Sequence, residues 1–397
     1  MTSKNDAPVE KLWNGNYLKA WTANFMLFFS FMLLTPLFPL YLSETFQADK
    51  QTIGFVLSGY TLTALIIRPF SGYFVDTFPR KKVLLTSYFL FFILFAGYPL
   101  AGSLALFAII RTLHGAPFGA ATVSNSTVAI DVLASSRRAE GIGYYGLSNN
   151  IATAIGPTVA LLIYGACNSY DVLFVIALLF SAAGLAINST LKIPSRAPEK
   201  RPPMSFDRFF LLKGWSNGLC MVCYAFSYGV LATYIAIYGK EELGITGGTG
   251  LFFMLLSTGL ILSRLTGSRT LRQGKIIRNA SSGIVVSLCG YLLFATMHNL
   301  WGYYGAALII GLGNGHMFPA FQTMFLNLAP NSQRGTANST LLVSWDIGVG
   351  LGVFFGGAVA ERAGFHAAFL TAWLVNLAGA VCFFAHTKSY FARNRLR

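Results

Sequence analysis

Twelve stretches of about 20 predominantly apolar residues divide this 397-residue chain, and each is long enough to cross the hydrocarbon core of a bilayer as a helix. They start near Tyr17, Gln51, Val83, Ser103, Glu140, Asp171, Phe209, Gly247, Ile276, Leu300, Arg334 and Phe365, with short polar breaks between them. Backbone polar groups find no water in lipid, so each stretch must satisfy them within itself, which predicts helices. Hydrophobic residues make up 54% of the chain, only 11% are charged, and mean hydropathy is +0.58, outside the range of a soluble domain. The expected fold class is an all-α membrane protein of twelve transmembrane helices.

A net charge of +15 raises the question of nucleic acid, and the positions of the basic residues answer it. If the N-terminus lies inside, 23 of the 29 Lys and Arg fall in inner segments, including Arg80 to Lys82, Arg137 and Arg138, and Arg334. The opposite loops hold Lys50, Lys240 and Arg362. This is the positive-inside pattern, and it places both termini in the cytoplasm of a cell inner membrane. The basic excess is thus a topology signal whose expected partners are anionic lipid head groups, with no nucleic acid. The polar start runs into a full-length first span, unlike a cleavable signal. The five cysteines are scattered through or near helices, against a disulfide framework; Cys220 and Cys223 have CxxC spacing, but no second pair accompanies them in that apolar helix. No cofactor and no metal are expected.

The longest polar interruption, Lys192 to Arg208, carries four prolines and five basic residues and is expected to be a cytoplasmic linker. It separates residues 1–191, a six-helix bundle, from residues 209–397, a second. The halves repeat. At an offset of 196, Arg68 falls on Arg264, Arg138 on Arg334, and Ser148, Ile151 and Gly156 on Ser344, Ile347 and Gly352; at 200, Ile109–Ala120 falls on Ile309–Ala320. Four matched segments in the same order predict two pseudo-symmetric bundles.

Between the second and third stretches, "RPFSGYFVDTFPRKK" resembles the loop signature of the major facilitator superfamily, Gly-x-x-x-Asp-x-x-x-Arg-Arg/Lys, through Gly72, Asp76, Arg80 and Lys81. Thr77 and Pro79 stand where that signature usually has a basic residue and a glycine. The resemblance implies a gate at the cytoplasmic helix ends: Gly72 permits close helix approach, and Asp76 can hold neighbouring ends through charge pairs and a helix N-terminus. Asp131, with Arg137 and Arg138 close in sequence, is expected to join a cytoplasmic ion-pair network. "RTLHGAPFG", from Arg111, resembles the fourth-helix motif of proton-coupled members. "GYYGLSNNIATAIGP" resembles the fifth-helix antiporter motif through Gly143, Gly156 and Pro157, with Asn150 inside it. Ala152, Ala160 and Leu161 depart from the glycines preferred there. What these likenesses imply is a transporter, not an enzyme, of the bacterial drug or metabolite antiporter type.

Ionisable residues deep in a bilayer cost about 2.5 to 3.5 kcal/mol each on insertion scales, so they face a cavity and have a task. Asp346 lies twelve residues beyond Arg334, about 18 Å along a helix, at mid-membrane. Desolvation favours the neutral form of such an acid, which makes Asp346 a candidate proton carrier. Arg111 and His114, one turn apart, are further candidates for coupling. Arg68 and Arg264 are expected to snorkel to the interface. The superfamily fold lines its central cavity with helices one, four, seven and ten, which here supply Asn24, Asn125, Asn217, Tyr224, Tyr228, Asn314, His316 and Gln322. Aromatic groups with a few amides suit a small amphipathic organic substrate.

The leading expectation is therefore a monomeric, proton-coupled exporter working by alternating access. A nutrient importer on the same fold is the alternative. A membrane-embedded enzyme or receptor is remote, because the sequence has no metal constellation, nucleophile motif or nucleotide loop.

Overall fold

The computed structural model describes residues 11–35, 37–48, 50–193, 206–245 and 250–396, and among them every regular element is a helix. Span 1 is Gly15–Leu34, continued by Phe38–Phe46; span 2 is Lys50–Thr77, span 3 Arg80–Phe95, span 4 Leu104–Asp131, span 5 Arg138–Cys167 and span 6 Tyr170–Ser189. Span 7 is Trp215–Glu241, span 8 Gly250–Arg272, span 9 Ile276–Thr296 and span 10 Leu300–Leu328. Arg334–Cys382 holds two helices, span 11 before Gly364 and span 12 after it, separated by a kink at that glycine, whose φ of 85° a residue with a side chain would rarely adopt. Residues 194–205 of the expected linker lie outside the described residues.

Among the described residues, seven segments are long and apolar enough by themselves to cross a membrane. The others, spans 2, 3, 5, 8 and 10, include the spans in which Arg68, Asp76, Asn150 and His316 interrupt the apolar run. Their polar residues are placed by neighbouring helices, which is how such segments are tolerated in lipid. Where a helix must start, the sequence often marks it. Asn14 accepts the Tyr17 amide at 2.9 Å, and Asn299 that of Gly302 at 2.8 Å, each an N-cap satisfying an orphan donor.

One boundary differs from the sequence reading. The seventh stretch, expected to begin at Phe209, becomes helical only at Trp215, after two single 3₁₀ turns, Phe206–Arg208 and Leu212–Gly214. Side chains take up amides there: Leu211 N–H donates across to Thr340 Oγ1 of span 11 at 2.9 Å, and Leu212 N–H donates locally to Asp207 Oδ1 at 2.9 Å. The segment is a strap across the end of span 11.

The buried apolar residues form separate cores. One belongs to spans 1 to 6, around Leu27, Tyr88, Phe91 and Phe107. Another lies in spans 7 to 12 toward the face away from the basic loops, around Val230, Phe252 and Phe294. A third joins the halves: Ile130 and Ile142 pack with Met324, Phe325, Leu328 and Leu341. That shared core sits at the end of the molecule where the basic loops gather. The two bundles are therefore fused at the basic face, while on the opposite face each keeps its own core among the described residues.

Candidate gate and coupling sites

The closure at the basic face is built from the signature loop upward. Gly72 of span 2 lies against Ser339, Gly335 and Thr336 of span 11, where an added Cβ would come within 2.8 Å of Ser339 Cβ and 3.0 Å of the backbone, and Gly335 meets Gly72 in return. This approach brings Asp76 onto the N-terminus of span 11. Its carboxylate accepts the Gly335 N–H at 2.9 Å, the Thr336 N–H at 2.8 Å and the Thr336 hydroxyl at 2.9 Å. Bonds to a charged group contribute about 1.5–3 kcal/mol each, and a helix N-terminus adds to them, so this carboxylate is a strong tie between the halves. Arg80 pairs with Asp131 and reaches Asp76 at 3.4 Å, and Arg334 donates to Asp131 at 2.8 Å. Asp131 thus takes one cation from each half. Lys81 instead binds the Leu191 carbonyl at 2.9 Å, tying span 3 to the end of span 6 within its own bundle. Arg138 is half-buried at the start of span 5, beside the Arg137–Glu140 pair at 2.7 Å.

Deeper along the same seam, Asp346 of span 11 forms an ion pair with Arg68 of span 2. Arg68 also donates to the Leu342 carbonyl at 3.2 Å, and its own carbonyl accepts the Ser339 hydroxyl. The expectation that Arg68 snorkels to the interface is corrected: it is buried, 7% exposed, because a carboxylate 278 positions away in sequence meets it. The Arg264 side chain lies outside the described residues. A polar chain continues across the halves from Gln322 through Asn338 to Thr127, each step 3.1 Å.

In the first bundle Arg111 is buried with its guanidinium 4.0 Å from the ring of Tyr60, 4.7 Å from Phe38 and 5.5 Å from Phe31. Tyr98 accepts from it at 3.5 Å and meets Nδ1 of the fully buried His114 at 2.8 Å. Span 4 thus places both motif residues on one interior face, closed by rings of spans 1, 2 and 3.

The expected cavity residues divide. Asn24, Asn125 and Ser148 join spans 1, 4 and 5: Asn24 donates to Ser148 at 2.8 Å, Asn125 donates to Asn24 at 3.2 Å, and Asn149 also accepts from Asn24. Tyr228 packs on Trp345 at 5.3 Å and Phe318 on Trp345 at 5.4 Å, an aromatic wall of spans 7, 10 and 11 next to Asp346. Asn217 and Tyr224 are buried within the second bundle, Tyr224 against Phe321 at 5.7 Å. Asn314 accepts from Ser287 at 3.1 Å. His316 turns away from the central axis: its ring meets Thr266 at 2.9 Å and Asn279 at 2.9 Å, bracing spans 8 and 9. In span 5, Gly143 is buried near the start, Asn150 is half-buried, and Gly156 lies against Met32 and Leu33 of span 1. The Pro157 side chain lies outside the described residues.

Tyr60, Tyr98, Trp345, Phe318, Thr336 and Asn338 were not candidates in the sequence, and Arg68 was expected only to snorkel. Aromatic and hydroxyl residues at helical spacing look like packing, and only their partners from distant spans single them out.

Twelve spans in two bundles, fused at one face and separate at the other with buried charges along the seam, define a multi-pass membrane transporter. The family model of the Major Facilitator Superfamily matches residues 20–348 and, in a second match, 280–395, and the chain belongs to that superfamily. It is 24% identical over 367 residues to the staphylopine export protein of Staphylococcus aureus, covering 88% of this chain and 90% of that one. It is 26% identical over 354 residues to the maltose permease of Geobacillus stearothermophilus, covering 85% and 86%. Among solved structures it is similar to the Major Facilitator Superfamily transporter FucP in the outward conformation, with a TM-score of 0.78 at 16% identity over 95% of this chain and 99% of that one. The family and these relatives are transporters, not enzymes.

Proposed function

We propose that this chain is a proton-coupled exporter of a small amphipathic organic compound, a monomer in a cell inner membrane with both termini and the basic loops in the cytoplasm. The observation that carries this reading is the Arg68–Asp346 ion pair, which bridges the two bundles on the same seam that Asp76 closes. With the basic face inside, the closed end is the cytoplasmic one, and the described state opens outward. Asp346 is reached from the outside. Protonating it removes the counter-charge of Arg68 and weakens the seam, which favours opening toward the cytoplasm. There the carboxylate loses its proton as substrate enters between the aromatic wall at Tyr228 and the polar cluster at Asn24 and Asn125. Re-forming the pair with Arg68 closes the inner end and carries the substrate outward. Arg111 and His114 form a second polar site in the first bundle that participates in coupling, and anionic lipid head groups hold the basic face.

Likeness to a named export protein supports export, as do the elements of the antiporter motif in span 5. Likeness to a maltose permease favours a second reading, uptake of a nutrient by the same rocking motion. Proteoliposomes with an imposed pH gradient test the first: candidate amphiphiles should move against the proton flow in the wild type, and Asp346→Asn and Arg111→Ala should lose the gradient-driven component. Unchanged gradient-driven flux in both variants would overturn the coupling assignment. Growth in toxic amphiphiles separates the two directions, since expression protects if the protein exports and sensitises if it imports.

A further inference from the structure

We propose that the Arg111 cage is an anion-recognition subsite that receives a carboxylate of the transported compound, a deepening that rests on the transport reading above. Arg111 is 4% exposed, and among the described residues no carboxylate lies within ion-pair distance of it. A guanidinium has five N–H donors in a fixed fork. Here one of them makes a single long bond, 3.5 Å to Tyr98, and Nε is buried without a partner. The hydroxyl of Tyr60, whose ring lies 4.0 Å from the guanidinium, is also buried without a partner.

Magnitudes decide between a structural arginine and a receptor. Cation–π contacts with desolvated rings contribute about 2 kcal/mol, whereas burying an uncompensated charge costs several kcal/mol. The three rings hold the cation in place without neutralising it. The missing component is an anion, and its shape follows from the walls. Phe31, Phe38 and Tyr60 offer the guanidinium ring faces and no hydrogen-bond acceptor from those faces, and the acceptor that matches a guanidinium fork is planar and bidentate, which is the geometry of a carboxylate. The site lies seven residues from the start of span 4, about 10 Å below the face at which the two bundles keep separate cores. That places it on the side of the protein opposite the Asp76 closure.

Equilibrium binding of indole-3-acetate and of its neutral isostere indole-3-acetamide to the full chain in lipid nanodiscs, at neutral pH and without any gradient, tests this. The acid should bind at least about tenfold more tightly than the amide, the difference expected for one hydrogen-bonded charge pair. Arg111→Gln should abolish the preference, Arg111→Lys should retain part of it, and Phe38→Leu should weaken both probes alike. Thermal melts confirm that each variant is folded. Equal affinity for the two probes, no saturable binding of the acid, or a preference that survives in Arg111→Gln would overturn the assignment. A preference abolished by chloride at physiological concentration would also overturn it, since the site would then hold an inorganic anion. Binding without a gradient does not depend on transport direction or protons, so this result and the Asp346→Asn flux result can fail separately.

Discussion

Two seams join the bundles, and the internal repeat makes them counterparts: spans 2 and 11 on one side, spans 8 and 5 on the other. At the 196-residue offset, Asp346 falls on Asn150, Gly335 and Thr336 on Ala139 and Glu140, and Asp76 on Arg272. In the first seam a carboxylate seats on a helix N-terminus and a second carboxylate holds a buried arginine. In the second, Arg272 is exposed, Glu140 is bonded to Arg137 of its own loop, and the acid is an amide. An amide does not exchange a proton near neutral pH, so of these two matched mid-span positions only Asp346 is titratable. Duplication supplied two equivalent places, and side-chain chemistry specialised one.

Substitutions can break this contrast. The largest effect is expected from separating the buried pair. Asp346→Asn or Arg68→Gln alone should destabilise by about 3–5 kcal/mol, because one charge remains uncompensated, while the double variant should lie closer to wild type. Thermal unfolding in detergent measures both; additive losses would show that the pair is not coupled. Asp76→Ala should follow at about 3 kcal/mol, seen as a shift toward the state open at the basic face in spin-label distances between spans 2 and 11. Unchanged distances would remove Asp76 from the closure. Gly72→Ala should cost about 1–3 kcal/mol and shift the same distances in the same direction, since the added methyl meets the backbone of span 11. The smallest effect, within about 0.5 kcal/mol, is expected for Arg272→Gln on the counterpart seam. A loss as large as that of Asp76→Ala would show that both seams lock.

Legibility followed depth and distance. Asp346 stood out because few carboxylates tolerate mid-membrane, and Gly72, Asp76 and Arg80 because their spacing forms a known signature. Asp76 meets the N-terminus of span 11 in the manner the signature implies, yet which helix would offer it was not readable. Arg68 lies near a helix end, where snorkelling and pairing leave the same trace in sequence. His316 was assigned to the cavity by helix number, but each residue turns a helix by about 100°, and a change of one position moves a side chain from cavity to bundle interior. Tyr60, Tyr98 and Phe38 were indistinguishable from the other aromatic residues of an apolar chain.

The sequence by itself determined that this protein lives in lipid, how many times it crosses, which loops share a side and that its halves repeat. Those properties follow from local sums of hydropathy and charge along about 20 residues. Only the tertiary structure decided which charges meet, which seam seats a carboxylate on a helix N-terminus and that Arg111 is ringed by aromatic faces with no carboxylate at ion-pair distance among the described residues. Pairing between spans depends on helix rotation and packing among residues hundreds of positions apart, and no local sum records it.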